Sequence, residues 1–130
     1  MAKLLLTVFA VLTALSYTSA DKCECATFFI DDVKDEHKVY AVPDTPTADC
    51  ADPQPCKKSC ETTFRKLTND GNLKHVTSRN MTVGELACKM YRRDKKDGIL
   101  GAFVRNCGGD WISAVNLAEK LSCKGGTIVH

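Results

Sequence analysis

Along Cys56-Lys-Lys-Ser-Cys-Glu-Thr-Thr-Phe-Arg-Lys-Leu67, the residues Cys56, Cys60, Phe64 and Leu67 recur at spacings of four, four and three. That places them on one face of a helix, with Lys57, Lys58, Glu61, Arg65 and Lys66 elsewhere around it. A helix with two half-cystines and two large apolar groups on its inner side can be pinned to two other parts of the chain, so it reads as the hub of the fold. Pro55 suits the first helical turn, and Asp52 or Gln54 can cap its free amides. Asn69-Asp70-Gly71-Asn72 is a strong stop.

The other elements fall on either side of this helix. Ala26–Ile30 and His37–Val42 are apolar runs rich in strand formers, joined by the polar Asp31-Asp32-Val33-Lys34-Asp35-Glu36, which predicts a hairpin. Residues 43 to 55 carry all four prolines and predict an extended loop around Cys50. Thr82-Val83-Gly84-Glu85 is a capping box that opens a second helix through Leu86, Ala87, Cys88, Met90 and Tyr91. Ile99–Val104 is apolar and suits a strand or a short helix, and Cys107-Gly108-Gly109 turns the chain. Asp110 can cap a third helix from Trp111 to Ser122, with an apolar stripe of Trp111, Ala114, Val115, Ala118 and Leu121 closed by Gly125. Thr127–His130 suits an edge strand. The predicted fold is α+β: a small disulfide-rich secreted domain of about three helices packed on a short β-hairpin or small sheet.

Residues 1–20 have the pattern of a signal peptide, with Lys3, an apolar run from Leu4 to Leu15, and Thr18-Ser19-Ala20 before a cleavage point at Asp21. The run is too short to span a bilayer and no later one matches it, so residues 21–130 are expected as one exported domain without a transmembrane segment. All eight cysteines, Cys23, Cys25, Cys50, Cys56, Cys60, Cys88, Cys107 and Cys123, lie beyond the signal. An even set in a short exported chain predicts four disulfides. Zinc is the rival, but neither Cys23-x-Cys25 nor Cys56-x-x-x-Cys60 is the usual knuckle spacing. Cys23 and Cys25 are too close to pair with each other. On a strand they are expected to face opposite sides and to bond different partners.

Charge is unevenly spread. Asp21–Asp52 holds nine acids and three lysines, whereas Pro53–His130 holds fourteen bases and seven acids. Either the two halves attract each other in the fold or a basic face is left for an anionic partner. The candidate face is Lys89, Arg92, Arg93, Lys95 and Lys96 at the exit of the second helix, extended by Lys57, Lys58, Arg65 and Lys66. An extracellular protein, a glycan or an anionic surface would fit it. Nucleic acid is excluded by the compartment and by the want of an aromatic ladder. Asn80-Met81-Thr82 is a glycosylation sequon. Asp31, Asp32, Asp35 and Glu36 lack the glycine and distal glutamate of a calcium loop and read as a solvated turn.

Catalysis finds little footing. His37, His75 and His130 supply ribonuclease-type groups without a matching context, and no phospholipase, lysozyme or nucleophile-elbow pattern stands out. Cys23-Glu-Cys25 is similar to the paired cysteines that open tissue inhibitors of metalloproteinases and netrin-like modules. In that inhibitor family the cysteine is itself the first residue; here Asp21 and Lys22 precede Cys23, and the downstream spacing and predicted helix content differ, so membership is not claimed. The chain is read as a non-enzymatic effector or binding protein of the defence, venom or signalling type, needing no cofactor or metal. An extracellular carrier of a small apolar ligand is the alternative, and a small hydrolase ranks below it.

Overall fold

The structure, a computed structural model, describes residues 21–130, so the expected signal segment lies outside the described residues. Among the described residues, six antiparallel strands, two α-helices and a single 3-10 turn at Asp35–His37 make up the fold. The strands are β1 (Lys22–Phe29), β2 (Tyr40–Ala41), β3 (Thr45–Pro46), β4 (Lys95–Asn106), β5 (Ile112–Lys124) and β6 (Thr127–Val129); the helices are α1 (Gln54–Thr68) and α2 (Val83–Tyr91). The sheet runs β2-β1-β4-β5-β6, with β3 also paired to β1. No helix among the described residues is long and apolar enough to cross a membrane.

Three helices on a hairpin is therefore not the architecture. Trp111–Ser122, expected as a helix, supplies most of β5, and the reason lies in its neighbour. β4 is largely buried from Gly98 to Val104, with β1 on one side, and its other edge of backbone N–H and C=O groups must also be paired. β5 does this, from Val104 opposite Ile112 to Lys95 opposite Cys123, with irregularities in register on the way. Its inward residues are Val115, Leu117, Leu121 and Cys123. They follow a period of two that the exposed Glu119 interrupts. Tertiary pairing thus overrides the helix-forming Leu, Ala, Glu and Lys of the segment. Gly125 is not a helix cap. With Gly126 it forms the two-residue turn of the β5–β6 hairpin, both at positive φ (59° and 78°), as a turn of the mirror-image type requires.

Other elements lie where the pattern puts them. β1 pairs with β2, Ala26 opposite Ala41, so the two apolar runs do lie side by side. α1 starts after Asp52, whose carboxylate accepts from the Gln54 amide at 3.1 Å, and stops at Asn69 in the left-handed region. Its buried face is Cys56, Cys60, Phe64 and Thr68; Leu67 is 39% exposed, one position off the expected stripe. In α2 both halves of the capping box form, Glu85 N–H to Thr82 Oγ at 3.1 Å and Thr82 N–H to Glu85 Oε1 at 3.2 Å.

All eight cysteines are bridged: Cys23–Cys56, Cys25–Cys60, Cys50–Cys107 and Cys88–Cys123. Residues two apart on a strand share a face, so Cys23 and Cys25 point the same way, against the expectation of opposite faces. They do bond different partners, both on α1. Two strand residues span about 6.6 Å and one helical turn of four about 6 Å, so the paired bridges fit without splaying strand from helix. The third bridge ties the proline-rich loop to the end of β4, and the fourth ties α2 to β5. Each closes a loop of 33 to 57 residues, about 4 kcal/mol apiece in the chain-entropy account.

The main core lies between the helices and one face of the sheet, where Phe29, Phe64, Leu73, Tyr91, Leu100, Val104 and Leu121 pack together. Alternation sends Phe28 and Phe103 to the opposite face, where they meet Trp111 and Val33. Gly98 in β4 lets the Phe29 ring lie flush on the strand: a Cβ there would fall 2.5 Å from Phe29 Cδ1 and 2.7 Å from Lys95 Cγ. Gly98→Ala is therefore expected to destabilise by about 1–3 kcal/mol through overpacking, read as a lower urea midpoint with the bridges intact. Gly109→Ala, where the nearest atom lies at 3.6 Å, should leave that midpoint in place.

Candidate functional site

A hollow lies where α1, α2 and the sheet fail to close on one another. α1 presents Phe64, Leu67 and Thr68 to it, α2 presents Val83, Leu86 and Ala87, and the sheet side supplies Thr27, Val39, Tyr40 and Leu100. The remaining wall comes from the connection between the helices, through His75, Thr77, Ser78 and Arg79. This connection has little regular structure but is held firmly. Val76 bridges Thr82, Thr77 bonds Met81 through both its amide and its hydroxyl, and the Val83 and Gly84 amides donate back to His75 and Leu73. The cavity measures about 350 Å³, within the range of small-ligand pockets. Its floor is apolar. The charged side chains that line it are Lys66 and Arg79, with the His75 imidazole beside them, and no acid is present.

The basic residues at the α2 exit do not make the single face expected of them. α2 ends at Tyr91, Arg92 is left-handed (φ 62°), and β4 has begun by Lys95. Successive strand residues point to opposite sides, which separates Lys95 from Lys96. Lys95 is spent: its side chain is 15% exposed, pairs with Asp31 and lies over the Phe29 ring. Arg93 Nη1 lies 2.9 Å from His37 Nε2. Lys89, Arg92 and Lys96 remain exposed with no acid partner among the described residues.

The acidic connection 31–36 is committed rather than free. Because a guanidinium only donates, His37 Nε2 accepts from Arg93 and Nδ1 donates to Asp32, 2.9 Å away. Tyr91 O–H also donates to Asp32, at 2.7 Å. Burial works against the Asp32 carboxylate, yet these two hydrogen bonds outweigh it and leave the group below its ordinary range. Burial and the bond to Asp32 push the Tyr91 phenol up to about 12. Arg105 holds Glu24, directly across β1–β4, through two bonds of 2.7 and 2.9 Å; it also reaches Asp35 and lies 4.4 Å from the Trp111 ring centre. Trp111 Nε1–H donates to Asp35 at 2.8 Å. Sequence reasoning missed these networks, since, except for the local Asp32–His37 bond, their partners lie 56 to 81 residues apart.

Asp21 lies against the sulfurs of Cys50 and Cys107, but these are bonded to each other and offer no thiolate to a cation. His37, tied between Asp32 and Arg93, is not among the groups that line the cavity with His75. Asn80 is exposed at the tip of the inter-helix connection, beside Ser78 and Arg79.

No protein-family model matches the chain, and comparison with curated proteins and with solved structures returns no match. What the geometry defines is a class: a small cysteine-rich protein whose four disulfides brace an antiparallel sheet and two helices, as suits an oxidising compartment.

The Arg105 bond holds Glu24 below the ordinary carboxylate range. A depressed carboxylate contributes stability above its unfolded value, about pH 4.3, and loses it as pH falls through the folded one. Arg105→Met should then cost on the order of 2 kcal/mol at pH 7, with a clearly smaller gap from the parent at pH 3. Urea unfolding at both values reads it, and an equal gap at the two would assign the cost to lost packing on Trp111.

Proposed function

We propose that this is a secreted, non-enzymatic binding protein that carries a small apolar ligand in the cavity between α1, α2 and the sheet. The observation that supports the reading is the cavity itself: about 350 Å³ of mainly apolar space on a scaffold with four bridges. Burying an apolar molecule there releases water from both surfaces. The bridges hold the walls in place beforehand, which reduces the ordering cost of binding. Cys23–Cys56 and Cys25–Cys60 fix α1, and Cys88–Cys123 fixes α2, so both helical walls are anchored to the sheet.

Protein secreted from eukaryotic cells should begin at Asp21, with four bridges and a roughly stoichiometric adduct lost on organic extraction. Native mass spectrometry before and after extraction reads all three. Leu67, exposed at the cavity wall, is the residue to change without touching the core. Leu67→Asp should weaken an apolar fluorescent probe at least tenfold and leave near-ultraviolet circular dichroism unchanged. A bare protein whose probe binding ignores that substitution has no carrier function.

A surface effector is the second reading, favoured by the exposed and unpartnered Lys89, Arg92 and Lys96. If that remnant of the basic face contacts an anionic glycan, replacing the three by alanine lowers the salt needed for elution from heparin, while Leu67→Asp does not. Elution at unchanged salt removes the face.

A further inference from the structure

We infer that the cavity takes a long-chain carboxylate, an amphiphile whose tail fills the apolar floor and whose head is held by Lys66 and Arg79. The inference rests on the carrier reading and deepens it. Its basis is the charge of the lining, which is one-sided: Lys66 from α1 and Arg79 from the inter-helix connection, with His75 beside them and no Asp or Glu. Several cations elsewhere in this protein are answered. Arg105 meets Glu24 and Asp35, Lys95 meets Asp31, and Arg93 meets the His37 that Asp32 orients. Lys66 and Arg79 have no acidic partner among the described residues, although Glu61 lies on the same helix and is taken by Arg65 at 3.0 Å.

Two unanswered cations at the edge of apolar space attract an anion more strongly than cations facing open water, because the neighbouring medium screens less. The apolar floor sets a second requirement. A small inorganic anion would leave Val39, Val83, Leu86 and Leu100 uncovered, whereas an uncharged hydrocarbon would leave the cations unanswered. One molecule meets both if it has an apolar tail and an anionic head. Arg79 can receive a carboxylate through two parallel N–H bonds, and the hydroxyls of Ser78 and Tyr40, also in the lining, can donate to the same oxygens. The tail then competes for length against the closed floor, so affinity rises about fourfold for each added methylene until the space is full.

The test uses the delipidated secreted protein, with cis-parinaric acid as fluorescent probe and palmitic acid, hexadecanol and octanoic acid as competitors below their aggregation limits. Palmitic acid is expected to displace the probe at least ten times more effectively than hexadecanol, and octanoic acid far less than either. Lys66→Ala with Arg79→Ala should bring palmitic acid down to the level of hexadecanol and leave hexadecanol unchanged. The exchange Lys66→Arg with Arg79→Lys should keep most of the preference. Both residues are exposed, so folding is not at stake. Equal displacement by acid and alcohol in the parent overturns the carboxylate while the carrier reading stands. No displacement by either overturns both, and a preference that survives the double alanine variant removes Lys66 and Arg79 as the head-group site.

Discussion

Two disulfides a few ångströms apart decide how this protein is put together. Cys23 and Cys25 face one side of β1, Cys56 and Cys60 lie one turn apart on α1, and the two spacings agree well enough for both bridges to close in the same sense along strand and helix. A single bridge would act as a pivot. A pair prevents rotation and gives α1 one direction across the sheet, over β4 and β5 as well as β1. α2 has one bridge, Cys88–Cys123, and packs toward β5 and β6 instead. The helices thus rest on different parts of one sheet, and the cavity is the space left between them where neither element is free to shift and fill it.

How much of this could be read from the sequence depended on how local each signal was. The capping box at Thr82–Glu85, the stop at Asn69–Asn72 and the two-cysteine face of α1 are settled by residues within a few positions of one another, and they are present as read. Leu67 falls outside the buried stripe although the pattern includes it, because +3 and +4 spacings both satisfy a helical stripe. The structure takes +4 and buries Thr68, whose hydroxyl is occupied by Phe64 O and the Gly71 amide. β5 departs from its helical pattern for a deeper reason. Val115, Leu117, Leu121 and Cys123 carry a period of two, but Glu119 and the register irregularities break it, and the helical stripe of Trp111, Ala114, Val115, Ala118 and Leu121 competes on equal terms. Only the unpaired edge of β4 chooses between them, and that edge exists only once β1 and β4 have met. Gly125-Gly126 was the one local sign of a hairpin.

The charge pattern was legible as an asymmetry, and its destination was not. The acids of the first part of the chain and the bases of the second meet across the β1–β4 pairing and its flanks: Glu24 with Arg105, Asp31 with Lys95, Asp35 with Arg105, and Asp32 with His37 and through it Arg93. Of the apparent basic face, Lys95 and Arg93 are spent there, and these pairs hold the 31–37 connection against the sheet. Part of what composition suggested as a binding surface is pairing of charge between two halves of one domain, and Lys89, Arg92 and Lys96 are what is left of it.

Against that background the exceptions carry the functional argument. Lys66 and Arg79 are exposed and without an acidic partner among the described residues, and both lie on the wall of the apolar hollow. Their neighbours do not explain this as solubility alone, since Leu67 and the nearby Val76 leave apolar surface exposed in the same region. Exposed apolar groups around a pre-formed cavity are useful in a loaded protein, where a ligand covers them. A ligand with an apolar body and a negative end also meets the exposed cations at the wall, which neither an uncharged hydrocarbon nor a small anion does while covering the apolar floor.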